Sequence, residues 1–151
     1  MNNNKKLKIY LDNCCYNRPF DEVRNTEIDM EITAKLAVQS MVKQGKLDLT
    51  WSYVLTYENS LNPKTMNKEN IILWKEMAIE NIVENDKIIS LAKKYQTIGL
   101  RTFDALHLAC SVYSGCDVFL TTDKRILKTK IDDIKIMNPI DFIREITEGV
   151  N

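Results

Sequence analysis

The chain has 151 residues, 44% of them hydrophobic and 28% charged, with 21 basic residues against 21 acidic ones. That length suits one domain, residues 1–151, burying roughly 70% of the surface its unfolded form exposes. The balanced charge excludes a highly basic nucleic-acid coat, but not a nuclease whose acidic site is offset by local Lys and Arg. No apolar run approaches the ~20 residues that span a membrane, and the polar start MNNNKKLK is no signal peptide, so the expectation is no membrane partner and a cytoplasmic location.

The first element is Leu7 to Leu11 (LKIYL), a short apolar strand that ends in the turn pair Asp12-Asn13. Cys14 to Asp21 (CCYNRPFD) reads as a loop, because Pro19 cannot donate a ladder bond and Asp21 can cap the next element. From Thr26 to Lys43 the pattern is helical, with Ile28, Ile32 and Leu36 four apart, Val38 and Val42 likewise, and Gly45 as the stop. Leu47 to Trp51 is a second strand, and Ser52 caps a helix over Tyr53 to Leu61. Glu58 shares a stripe of that helix with Val54, Leu55 and Leu61, which sends its carboxylate inward. An inward carboxylate must be paired, protonated or bound to a metal.

Asn62-Pro63 breaks the chain before a charged amphipathic helix over Asn67 to Glu80. Ile82-Val83 reads as a minimal strand, and Ile88 to Tyr95 as another helix closed by Thr97 to Gly99. Thr102 then reads as the N-cap of a helix over Phe103 to Tyr113, apolar almost all the way round and therefore buried. Ser114-Gly115 ends it, and Val118 to Thr122 has the β-branched and aromatic content of a strand buried on both faces. Asp123 follows directly, ahead of the helical start Lys124 to Leu127. Ile134 to Met137 is the last strand, and Pro139 opens a helix over Ile140 to Ile146. Strands alternating with helices define an α/β fold with a mainly parallel sheet. The four cysteines form no CxxC or Cys/His set with zinc-ligand spacing and read as reduced packing thiols.

Four acids stand out. Asp12 and Asp123 end strands, Asp104 opens a helix that must run back to the same rim of the sheet, and Glu58 points inward. Each has a plain structural reading. Asp12-Asn13 is a turn pair, Asp104 complements a helix dipole, Asp123 is an N-cap worth about 1 kcal/mol, and Glu58 is a mis-phased surface residue. Taken together, they lie where open parallel sheets bind ligands, and four unpaired charges there would repel. A Mg²⁺ or Mn²⁺ ion, which takes carboxylate oxygens, waters and substrate phosphates, resolves that repulsion.

The stretches IYLDNCCYNRPFD, SYVLTYEN, TFDALHLA and VFLTTDKRIL resemble the four acidic motifs of PIN-domain ribonucleases, in order and at similar spacing, from Ile9 to Asp141. That resemblance implies a single PIN-like α/β domain with a five-stranded, mainly parallel sheet in the order 3-2-1-4-5, flanked by helices. It also implies divalent-metal-dependent endonucleolytic cleavage of RNA. Asp12, Asp104 and Asp123 would be metal ligands, Glu58 a ligand or the group that orients the attacking water, and Thr122 the supporting hydroxyl. Many such proteins are toxins silenced by a small antitoxin, and many dimerise.

The remaining candidates divide. Asn13 either approaches the metal or completes the turn, and the turn is preferred. Arg18, Arg101 and Lys124 either grip substrate phosphates or are solvated charges. His107, the one histidine, is read as a core imidazole rather than a general base. Two other functions compete with the nuclease. A non-catalytic PIN-like RNA-binding or assembly module has no reason to gather acids at one rim. A phosphoryl-transfer receiver domain wants an acid pair before its first helix and a lysine after a late strand, where this chain has single Asp12 and Asp123 followed by Lys124.

Overall fold

The computed structural model describes residues 6–16 and 25–148. The loop residues Arg18, Pro19 and Asp21 lie outside them. Five short strands form one parallel sheet in the order β3-β2-β1-β4-β5: β1 Lys8–Leu11, β2 Asp48–Ser52, β3 Glu80–Ile82, β4 Val118–Leu120 and β5 Lys135–Met137. The helices are α1 Thr26–Lys43, α2 Tyr53–Ser60, α3 Thr65–Ile72, α4 Trp74–Met77, α5 Asp86–Thr97, α6 Thr102–Tyr113, α7 Lys124–Leu127 and α8 Pro139–Glu148. The class and strand order are those the motifs implied. Among the described residues, no helix is long and apolar enough to cross a membrane.

The central strands are buried on both faces, which is why they read as continuous apolar runs rather than alternating ones. Ile9, Tyr10, Leu49, Trp51, Phe119 and Leu120 have no measurable exposure and form the middle of the core. Helix α1 packs on α8 and α5 packs on α6. Right-handed crossovers place those two pairs on opposite faces of the sheet.

Several local expectations shift. In α1 the buried stripe is Ala34, Val38 and Val42, and Leu36 is exposed. The four-residue spacing of Ile28, Ile32 and Leu36 marked the neighbouring stripe, while Val38 and Val42 join the core shared with the sheet. The expected Asn67 to Glu80 helix is two helices followed by the start of β3. Ala78 turns extended, and Ile79 N–H donates to Leu49 O at 2.8 Å, so pairing with β2 captures the segment that helical periodicity assigned to α4. Helix α6 is capped by Arg101 backbone with no side-chain bond, and Thr102 is its first residue. It ends at Gly115, whose φ of +74° suits a residue without Cβ.

Connections leave β1 toward β2 and β4 toward β5, in opposite directions along the sheet. The crevice between the carboxyl ends of β1 and β4 is therefore the topological switch point, where doubly wound sheets bind ligands.

Candidate active site

Asp12 follows β1 at that switch point and is buried, 7% exposed. Its N–H donates to Leu120 O at 2.9 Å, which continues the β1–β4 ladder by one residue. It also caps a short 3₁₀ turn, Asn13–Cys15, with Oδ1 accepting from Asn13 N–H at 2.8 Å. The expected turn role of Asn13 is thus met by its backbone.

The hydroxyl that supports Asp12 belongs to Thr121, which donates to Oδ2 at 2.7 Å and accepts from Asp123 N–H at 3.0 Å. Thr122, the expected supporting hydroxyl beside Asp123, donates to Cys14 Sγ at 3.3 Å. The reason is pleat. Tyr10 and Phe119 are register partners and stack on one face, so Asp12 and Thr121, each two residues further on, share that face and Thr122 does not. Asp123 is the N-cap of α7, with Oδ1 accepting from Arg125 N–H at 2.9 Å, so its capping reading holds alongside its position at the rim.

Asp104 occupies the first turn of α6, half-buried. Burial first, and then the charges of Asp12 and Asp123 and more weakly Glu58, raise its pKa above 3.8; His107 opposes them. The charges of the other three acids therefore all bear on Asp104. The tightest grouping is different from the expected one: ligand atoms of Asp12, Glu58 and His107 lie within 4.8 Å of one another, with Asp104 and Asp123 outside that set. Leu61, expected on the inward stripe of α2, is exposed; Val54, Leu55 and Asn59 are the buried positions, and Glu58 flanks them at the rim.

His107 is the residue whose part at the site the sequence did not disclose. It is 1% exposed, as a core imidazole should be, yet its Nε2 is 2.7 Å from Glu58 Oε1 and its Nδ1 is 2.6 Å from Tyr10 Oη. Burial disfavours the charged ring, but the Glu58 hydrogen bond and the Asp12, Glu58 and Asp104 charges outweigh it and raise its pKa above 6.5. Its position three residues after Asp104, one turn along the same helix side, was the available signal.

Cys14 stands beside the acids, its Sγ 3.7 Å from Asp12 Oδ2. The hydrogen bond from Cys15 lowers its pKa against the effect of burial. All four cysteines are free thiols.

Next to Asp104 a cleft of about 390 Å³ runs between the 98–101 segment and α7 with its following turn. Arg101, Arg125, Lys128 and Lys130 line it, all exposed. Lys124 points elsewhere, toward Glu27 of α1 at 4.0 Å. Arg18 is outside the described residues.

Oxygen donors gathered at the switch point of a parallel sheet, beside a basic cleft, define an α/β protein with an acidic site suited to a hard cation. The PIN domain family model matches residues 49–132, more than half of the chain and including Glu58, Asp104 and Asp123. The chain belongs to the PIN domain family. It is similar in fold to VapBC2 from Rickettsia felis, solved bound to a DNA fragment from their promoter, with TM-score 0.58 and 12% identity over 87% of this chain and 98% of that one. The DNA-bound VapBC from Salmonella typhimurium gives TM-score 0.55 and 12% identity over 88% and 98%. A comparison with curated proteins found no match.

Proposed function

We propose that this protein is an endoribonuclease that uses Mg²⁺ or Mn²⁺ held by Asp12, Asp104, Asp123 and Glu58. The observation that carries the reading is the convergence of the Asp12, Asp123 and Glu58 charges on half-buried Asp104, at the switch point of the sheet. Such an arrangement is unfavourable until a cation offsets it. The donor set fits: carboxylate oxygens, with Asp12 already oriented by Thr121 and by its own turn.

When bound, the ion supplies water activation near neutral pH and offsets charge at the phosphodiester. The chain's own residues do the rest. Glu58, anchored through one oxygen, is placed to hold or orient the attacking water. Arg101, Arg125, Lys128 and Lys130 offer cations along a cleft that opens beside Asp104, where successive phosphates of a single strand can lie. Water adds to phosphorus, the P–O3′ bond breaks, and the proton lost by water balances the one gained by the leaving oxygen, so the products carry 5′-phosphate and 3′-hydroxyl ends.

We further propose one domain over residues 1–151, a cytoplasmic location, a small antitoxin protein as partner and self-association as a homodimer. The antitoxin rests on the motif resemblance and on the VapBC identity of the two solved neighbours.

The deciding assay is cleavage of single-stranded RNA by purified protein with Mg²⁺, with Mn²⁺ and with EDTA. Cleavage requires the metal, and Asp104→Asn loses at least about a hundredfold in rate, several kcal/mol of barrier. Undiminished cleavage in EDTA would end the metal reading.

A further inference from the structure

A buried chain of hydrogen bonds leaves the start of α2, crosses the sheet and returns to α2 at Glu58. Leu55 N–H donates to Ser52 Oγ at 3.3 Å, Ser52 Oγ lies 2.6 Å from Tyr10 Oη, Tyr10 Oη lies 2.6 Å from His107 Nδ1, and His107 Nε2 lies 2.7 Å from Glu58 Oε1. Ser52, Tyr10 and His107 are all buried to 1% exposure or less. Water has no access to rearrange them.

With a neutral ring the donors run one way. Ser52 O–H donates to Tyr10, Tyr10 O–H donates to Nδ1, and Nε2–H donates to Oε1. Both buried hydroxyls and both ring nitrogens of this network then have partners, which burial requires. The tautomer of His107 is set by Tyr10, and the orientation of Glu58 is set by His107.

We propose that His107 is a positioning residue for Glu58: the Ser52–Tyr10–His107 chain engages Oε1 and leaves Oε2 as the one oxygen that Glu58 presents to the cation or the attacking water. The proposal rests on the metal-dependent nuclease reading. It also explains why the tight 4.8 Å grouping contains an imidazole that is no ligand, since both ring nitrogens already have partners. A carboxylate held through one oxygen acts as a one-oxygen ligand, and outer partners of this kind typically carry 10–100-fold of metal affinity or activity.

The chain has a single histidine, so ¹⁵N NMR of the ring reports on His107 alone. In metal-free protein, above the titration of the ring, the Nε2-protonated tautomer is expected. Tyr10→Phe removes one oxygen from the core and should release the ring to a mixture of tautomers. Calorimetric titration with Mn²⁺ should show affinity reduced about 10–100-fold in His107→Leu. His107→Gln, whose amide N–H can still donate toward Glu58, should recover most of it. With RNA, kcat should fall in His107→Leu and Tyr10→Phe while KM stays, because the basic cleft is untouched. Where His107→Leu fails to fold, Tyr10→Phe carries the test through the same three readouts. An Nδ1-protonated ring, or folded variants with wild-type Mn²⁺ affinity and kcat beside an Asp104→Asn that loses both, overturns the positioning role alone. An Asp104→Asn that also binds Mn²⁺ and cleaves as wild type overturns the nuclease reading, and the role of His107 with it.

Discussion

Thr121 ties Asp12 to the turn that carries Asp123: one hydroxyl donates to the Asp12 carboxylate at 2.7 Å and accepts the Asp123 N–H at 3.0 Å. Two acids from different strands are thereby held by a third residue that carries no charge. Thr121→Val keeps the shape and removes both bonds in a fully buried place. The expected loss is about 1–3 kcal/mol, the desolvation left uncompensated on Asp12 and on the amide, with Mn²⁺ affinity down by roughly tenfold or more. Chemical denaturation and Mn²⁺ titration of the variant check both. An unchanged Mn²⁺ affinity would make Thr121 structural only.

Asp123 separates the site from its capping role through stability. Asn caps a helix about as well as Asp, so Asp123→Asn keeps the bond to Arg125 N–H and removes only charge. In EDTA the variant should melt at or above wild type, since one contributor to the repulsion on Asp104 is gone. Added Mn²⁺ should stabilise wild type by about 2.7 kcal/mol at a hundred times its dissociation constant, and the variant by much less. A wild-type melt indifferent to Mn²⁺, beside a variant weakened in EDTA, would leave these acids as caps.

The basic cleft makes a prediction about salt. Lys128→Ala with Lys130→Ala should weaken binding of single-stranded RNA and flatten its dependence on salt by roughly 0.7 in log–log slope for each phosphate no longer neutralised. Both side chains are exposed, so thermal stability should hold within about 0.5 kcal/mol. Filter binding across a salt series, with a melt of each variant, is sufficient. A parallel, undisplaced salt curve would remove the cleft from the RNA path.

At the opposite end of the sheet, Lys8 of β1 reaches Glu80 of β3, and Ser114 Oγ donates to the same carboxylate at 2.5 Å. Burial alone would raise the pKa of Glu80, but the Lys8 ammonium and the Ser114 hydroxyl hold it below 4.5. A depressed folded pKa adds stability above the unfolded value, and the gain is lost as pH falls through the folded one. Glu80→Gln should therefore cost stability near neutrality and nothing in strong acid. Glu80 is a third exposed, so screening limits the effect to about 1 kcal/mol or less, a few degrees of Tm at this length. Melts of the two proteins should differ near neutrality and converge well below pH 4.5. A constant difference would assign the loss to packing.

The sequence by itself determined the architecture and where its acids fall. Strand and helix ends are written locally, in apolar runs, turn pairs and caps, so Asp12, Asp104 and Asp123 could be assigned to element ends and Glu58 to the inward stripe of its helix, beside which the structure sets it. Parallel pairing then forces strand ends to one rim. What the residues did not disclose is everything that depends on how one element sits against another. Thr121 rather than Thr122 meets Asp12 because β1 and β4 pair Leu11 with Leu120. Leu36 and Leu61 are exposed, one on the uncovered side of α1 and the other at the C-cap of α2, a difference that helical spacing leaves open by one position. His107 follows the same logic. A histidine on an apolar helix looks like core filling, and only the packing of α6 across β1 and α2 puts Tyr10 on one of its nitrogens and Glu58 on the other.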